Sequence, residues 1–327
     1  MTGGAGFIGS HLVDCLVADG TPVTVLDDFS TGERDNLAQA ARRGDVRIVE
    51  GSVLDPAAVG HAMQDCSVVY HLAVECVRRS LGQPFRNHEI NATGTLRVLE
   101  AARQAKAERV LYCSSSEVYG NASDKVLPEA TTICEPVTVY GAAKLAGEYY
   151  AKAYQRTYGL PVVIARPFNS YGPREHDQGD IAEVIPRFVI RALNDMPPVV
   201  FGDGTAGRDF TYVTETADAL KRLASHPGAV GRVVNLAFGR MVTIAEVAQA
   251  ACRACGKPGL RPQFVDPRPG DVHRLHADTR QARELLGFVA RIDFEQGLAK
   301  YVEWFRERYP NPSLLLESET TNWRMPE

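Results

Sequence analysis

Gly3-Gly4-Ala5-Gly6-Phe7-Ile8-Gly9 sets three glycines three apart, directly ahead of Ser10–Ala18, a stretch with the apolar period of a helix. With no side chains in the way, such a turn lets its backbone approach a pyrophosphate, whose charge then rests on the free N–H groups and positive dipole end of the helix. A glycine triplet alone says little. The next run, Thr21–Leu26, ends in Asp27, 18 residues past Gly9 and close to the ~20 at which a carboxylate accepts from a ribose 2′-hydroxyl. A carboxylate there repels a 2′-phosphate, so the pattern selects NAD over NADP.

Beyond the turn, short β-branched runs at Pro22–Leu26, Val46–Glu50, Val68–Leu72 and Val110–Cys113 alternate with stretches of helical period. Those stretches are Ser10–Ala18, Ala57–Met63, Thr93–Gln104 and Ala142–Tyr158. The alternation predicts βαβ units, hence an α/β protein with a doubly wound parallel sheet. Pro161–Arg166 reads as one more buried strand. From about residue 168 the chain turns to Pro/Gly-rich loops with intermittent helices at Glu183–Asn194 and Val242–Cys255. We therefore expect a cofactor-binding domain over 1–167 and a smaller α+β domain over 168–327, some of whose segments return to the first sheet.

The 327 residues are ample for such a core, and 36 Lys+Arg against 40 Asp+Glu leave a net charge of −4. No basic stripe is present, which argues against a nucleic-acid partner. No apolar run approaches the ~20 residues that cross a bilayer, and Met1–Gly6 carries no secretory leader, so a cytoplasmic location is expected. Seven scattered cysteines suit free thiols. Cys252-Arg253-Ala254-Cys255 lies within helical periodicity with no second pair, so helix packing is preferred to a metal site.

Tyr140 and Lys144 stand four apart and would share a helix face. An ammonium beneath a phenol favours phenolate, which makes a base for a hydroxyl proton. Tyr/Lys pairs at this spacing also occur on ordinary surface helices. Upstream, however, the strand Val110–Cys113 runs into Ser114-Ser115-Ser116-Glu117-Val118-Tyr119-Gly120, placing hydroxyls at the carboxyl end of a parallel strand, where open α/β sheets bind ligands.

Together these features resemble the extended short-chain dehydrogenase/reductases of the nucleotide-sugar epimerase/dehydratase family. The likeness rests on the glycine turn, Asp27, His71-Leu72-Ala73, Asn91, the serine run, Tyr140/Lys144, Arg166-Pro167-Phe168-Asn169, Gly202-Asp203-Gly204, Arg208-Asp209-Phe210 and Arg268-Pro269-Gly270-Asp271. It implies a Rossmann-type sheet of order 3-2-1-4-5-6-7 and a homodimer built on Thr93–Gln104 and Ala142–Tyr158. By the same resemblance, Ser115, Tyr140 and Lys144 form the catalytic triad. Gly3, Gly6, Phe7, Ile8, Gly9, Asp27, Ser52, Val53, Leu72, Ala73 and Asn91 join Tyr140 and Lys144 around NAD. Ser116, Asn169, Arg208 and Arg268 contact a nucleotide-diphosphate sugar, UDP-sugars being favoured. His71, after a buried strand, reads as a packed core residue, and His273 and His276 as surface residues; no metal is expected.

The implied chemistry is transient oxidation of the sugar C4 hydroxyl to a ketone, and the step after it decides the reaction. The body of the sequence reads most like UDP-hexose 4-epimerases. Glu117 departs from them and points to a dehydratase or a UDP-glucuronate decarboxylase, unless it is only a solvated carboxylate at a strand end. A non-catalytic NAD-binding regulator is the remote reading, opposed by the intact Ser115, Tyr140 and Lys144. In Gly51-Ser52-Val53 a serine stands where the family commonly has an adenine-binding aspartate. The family's first strand has no counterpart ahead of Thr2, so the expectation is that the natural chain begins upstream of Met1.

Overall fold

The computed structural model describes residues 1–121 and 125–325. Its main sheet is parallel. One edge is Val46–Glu50, followed by Val23–Asp27. The other side runs from Val68–His71 through Arg109–Cys113 and Val162–Pro167 to Val233–Leu236. Met1 and Thr2 join the two halves. Thr2 N–H donates to the Tyr70 carbonyl at 2.9 Å and Leu26 N–H to the Met1 carbonyl at 2.8 Å, while Thr2 bridges both Leu26 and His71. With Met1–Thr2 in the central place, the order is the expected 3-2-1-4-5-6-7.

Side chains alternate across each strand, so each face buries its own set. Val25, Leu111 and Val163 pack under helices Phe7–Ala18 and Val213–Ser225. Leu26, Val110, Tyr112, Val162 and Ile164 pack under Pro56–Met63, Gly94–Gln104 and Val139–Tyr158. Val213–Ser225, Val233–Leu236 and Arg280–Leu286 are second-half segments that return to this lobe.

The smaller lobe is α+β. Its strand pairs are Val199–Phe201 with Gln263–Val265 and Ser170–Tyr171 with Thr211–Tyr212, while Gly207–Asp209 pairs with both Met241–Thr243 and Arg274–Leu275. Helices Val184–Leu193, Ile244–Ala254 and Phe294–Arg308 close over a core of Ile185, Phe188, Val247, Leu298 and Phe305. Cys252 and Cys255 are buried in that core as free thiols.

Among the boundaries that differ from the sequence reading, two helix starts bear on the middle of the site. The helix expected from Thr93 begins as a wider π turn over Glu89–Thr93. The helix expected from Ala142 begins at Val139, because the Thr138 hydroxyl caps it by accepting from Gly141 N–H at 3.1 Å. Tyr140 thereby falls in the first helical turn.

Candidate active site

The carboxyl ends of the sheet open into one long cavity between the lobes. At one end lies the glycine turn. Gly3 has φ +67°, and a Cβ on it would sit 2.6 Å from Ala73 N; a Cβ on Gly9 would sit 2.0 Å from the Gly3 carbonyl oxygen. Neither position admits a side chain. Gly6 is the N-cap of Phe7–Ala18, so Gly6, Phe7, Ile8 and Gly9 present a bare helix N-terminus to the cavity. Asp27 lines it too, its carboxylate accepting from Ala5 N–H at 2.8 Å and Phe29 N–H at 3.0 Å. Burial raises the Asp27 pKa, and those two bonds oppose the shift. Val53, Leu72 and Ala73 complete this wall.

Two residues expected here lie elsewhere. The Ser52 hydroxyl accepts from Leu54 N–H at 3.2 Å in the turn before the next helix and is not on the cavity wall. Asn91 is buried behind the wall: its Oδ1 accepts from Glu75 N–H, and its Nδ2 donates to the Glu75 carbonyl and to Asn87 Oδ1, each at 2.9 Å. Its amide is spent on holding the Glu75 loop, so Asn91 shapes the wall without facing into it.

Mid-cavity, Ser115, Tyr140 and Lys144 converge. Ser115 caps the 3-10 turn Ser116–Tyr119 by accepting from Glu117 N–H at 3.2 Å, and it is hydrogen-bonded to the Tyr140 hydroxyl. Gly141 makes this approach possible, since a Cβ there would lie 2.7 Å from the Glu117 carbonyl oxygen. The charge relation differs from the expected one. Lys144 donates to the Cys113 carbonyl and lies 4.7 Å from the Tyr112 ring centroid. Burial lowers its pKa to about 8, and burial raises that of Tyr140, with the Ser115 bond pulling down and the Glu117 charge pushing up. The Lys144 ammonium thus rests on a strand-end carbonyl.

Beneath the triad is a network that sequence reasoning missed. Glu148, fully buried, accepts from Arg166 Nε at 2.8 Å and Nη2 at 2.7 Å and from the Ser114 hydroxyl at 2.6 Å. The i, i+4 relation of Lys144 to Glu148 was its one available signal. His71 is a packed core histidine, its ring nitrogens meeting Thr2 Oγ1 at 2.7 Å and Thr95 Oγ1 at 2.9 Å.

At the far end Ser116, Glu117, Asn169 and Glu183 line the cavity. Glu117 has no side-chain hydrogen bond or ion pair among the described residues; burial raises its pKa, with Arg208 and Arg268 opposing. Asn169 Oδ1 is buried without a partner. Arg208 and Arg268 are not on the wall itself: both bond Asp271 Oδ1, at 2.7 and 2.8 Å, which brings two guanidinium groups together beside Glu117.

The profile of the NAD dependent epimerase/dehydratase family matches residues 1–237. The chain is 36% identical over 311 residues to the UDP-glucose 4-epimerase of Mycolicibacterium smegmatis, covering 94% of this chain and 98% of that one. This chain belongs to the NAD-dependent epimerase/dehydratase family. Among solved structures it is similar to DesIV, a dTDP-glucose 4,6-dehydratase from Streptomyces venezuelae with NAD and TYD bound, at TM-score 0.90 and 31% identity over 96% of this chain and 98% of that one. It is likewise similar to MoeE5 in complex with UDP-glucuronic acid and NAD, at TM-score 0.83 and 36% identity over 94% and 98%. As a family member the chain is an NAD-dependent enzyme. NAD fits the residues present: a glycine turn closed to side chains, a bare helix N-terminus and the Asp27 carboxylate line one wall. Among the described residues no helix is long and apolar enough to cross a membrane.

Proposed function

We propose that this enzyme is a UDP-hexose 4-epimerase that works through a transient 4-keto sugar. The observation that carries the reading is the convergence of Ser115, Tyr140 and Lys144 in the same cavity as the glycine turn. In this role Tyr140 takes the proton of the sugar C4 hydroxyl. Ser115 hydrogen-bonds that oxygen, and Lys144, anchored on the Cys113 carbonyl, holds its charge beneath the reacting end. Bound NAD supplies the hydride acceptor for C4 and the donor that restores it. Arg208 and Arg268 supply planar, permanently charged forks for the diphosphate. Asn169 Oδ1, orphaned in its present surroundings, is an acceptor for the nucleotide sugar.

The experiment is a panel of UDP-glucose, UDP-N-acetylglucosamine, UDP-glucuronate and dTDP-glucose, with products resolved by mass and NMR. Unchanged mass with inverted C4 is expected from a UDP-hexose. The unpaired Glu117 carboxylate favours a second reading, a dehydratase in which Glu117 carries a proton after the ketone forms. Glu117→Gln separates the two, being nearly silent in an epimerase and severe in a dehydratase. We further propose a homodimer through helices Gly94–Gln104 and Val139–Tyr158, where Leu96, Tyr149 and Tyr158 stand exposed; sedimentation equilibrium tests it.

A further inference from the structure

Glu183 enters the cavity from the smaller lobe, as the N-cap residue of Val184–Leu193. One edge of its carboxylate is taken by Arg78, whose Nη1 lies 3.1 Å and Nη2 2.9 Å away. The rest is open to the cavity, with 36% of the Glu183 side chain exposed against 7% for Arg78. Arg78 is immobilised in turn, since its Nε donates to the Asp180 carbonyl at 3.1 Å and its Nη2 to the Ile181 carbonyl at 2.5 Å. Behind the loop, residues 317–322 act as a strap: Glu317 accepts from Gly179 N–H at 2.5 Å and Asn322 donates to the Ala182 carbonyl at 2.8 Å. Burial alone would raise the Glu183 pKa, but the charge and hydrogen bonds of Arg78 outweigh it and hold the group below the usual glutamate range. Glu117, facing it, is shifted the other way.

We propose that Glu183 is a specificity-determining residue that contacts the sugar, a fixed anionic acceptor that binds the hydroxyls of a neutral hexose and turns away sugars bearing a carboxylate. The inference rests on reading the cavity as a nucleotide-sugar site. A hydroxyl donating to a carboxylate makes a charge-assisted bond, roughly twice as strong as a neutral one, whereas a second carboxylate at the same place is repelled. Arg78, the cation in contact with Glu183, is not at liberty to neutralise a uronate, because its donors are committed to Glu183, Asp180 and Ile181.

The test is calorimetric binding of UDP-glucose, UDP-glucuronate and UDP to the NAD-loaded enzyme and to Glu183→Gln. The wild type is expected to bind UDP-glucose at least ~10-fold more tightly than UDP-glucuronate. Glu183→Gln is expected to weaken UDP-glucose by ~10-fold or more and narrow the gap between the two sugars to within ~3-fold, with UDP affinity and NAD content unchanged. Glu183→Asp, which keeps the charge on a shorter stem, should still discriminate against the uronate and serves if the Gln variant folds poorly. An unaltered preference in Glu183→Gln, a wild type that binds both sugars alike, or a loss extending equally to UDP would overturn the proposal, the last showing Glu183 to be only a clamp between lobes. Failure of the nucleotide-sugar reading shows separately, as a wild type that does not bind UDP.

Discussion

Tyr140 and Lys144 share a helix face, as four-residue spacing requires, but the spacing could not say which acceptor the ammonium would choose. It chose the carbonyl of Cys113, a strand-end group legible only once strand and helix are packed. Tyr140 thus depends on Ser115 for its hydrogen bond, and removing the phenolic oxygen should strip the site of its base. Tyr140→Phe is expected to lower kcat by ~10²–10⁴-fold while NAD content stays normal. Near-normal turnover would contradict the assignment. Lys144 has a pKa lowered to about 8 by burial, so its ammonium is present below that pH and lost above it. If the charge supports catalysis, kcat/KM should decline as pH rises through ~8, as pH–rate profiles of the free enzyme report. A flat alkaline limb to pH ~9.5 would show the charge to be dispensable.

At the scale of elements, the helix Val139–Tyr158 does most of the positioning, and small residues let it do so. Gly141 lies against the Ser115–Glu117 turn, and a Cβ on Gly147 would come within 2.2 Å of the Tyr112 hydroxyl. What fixes this helix to the strand ends is the buried Glu148–Arg166 pair, with Ser114 on the same carboxylate. Breaking one side of a buried pair leaves the Glu148 carboxylate with only the part-solvated Lys152 at 3.8 Å as its cation, so Arg166→Met should destabilise by up to roughly 3–5 kcal/mol in urea titration. Adding Glu148→Met should recover much of that loss, because the stranded carboxylate is then gone. A double variant no better than Arg166→Met would mean the pair is not the source of the cost.

Across the whole molecule, the glycine turn, Asp27 and the strand–helix alternation were readable because each is a local pattern with a fixed spacing. Arg78 and Glu183 were not, for they stand 105 positions apart and meet only across the lobes. At Ser52 and Asn91 a family position was legible, but the spacing could not show the local hydrogen bonds these side chains make, to Leu54 N–H and to the Glu75 loop. Two histidines tie distant parts together. His71 is pushed down to about 3 by burial, and His11, which bonds the Pro173 carbonyl at 2.9 Å, is pushed down to about 4 by burial. Both lie below the unfolded value of ~6.5, so the unfolded chain takes up these protons first as pH falls. The stability is intact above ~6.5 and lost from there toward the folded values, at about 1.4 kcal/mol per pH unit for each ring. The buried Asp209 carboxyl, raised to about 7, pulls the other way over this range, so the test is differential: from pH 7 to pH 5 His11→Gln should lose less Tm than the wild type, and an identical pH dependence in the two would contradict this.

In the proposed 4-epimerase reaction, hydride leaves C4 of a UDP-hexose and comes back to the same carbon. UDP-glucose carrying deuterium at C4, incubated with the NAD-loaded enzyme in ordinary water and followed by NMR and mass, tests it most directly. A C4-inverted product of unchanged mass, with the deuterium still on C4, is expected. Deuterium washed out to solvent, or a product lighter by water, would contradict it.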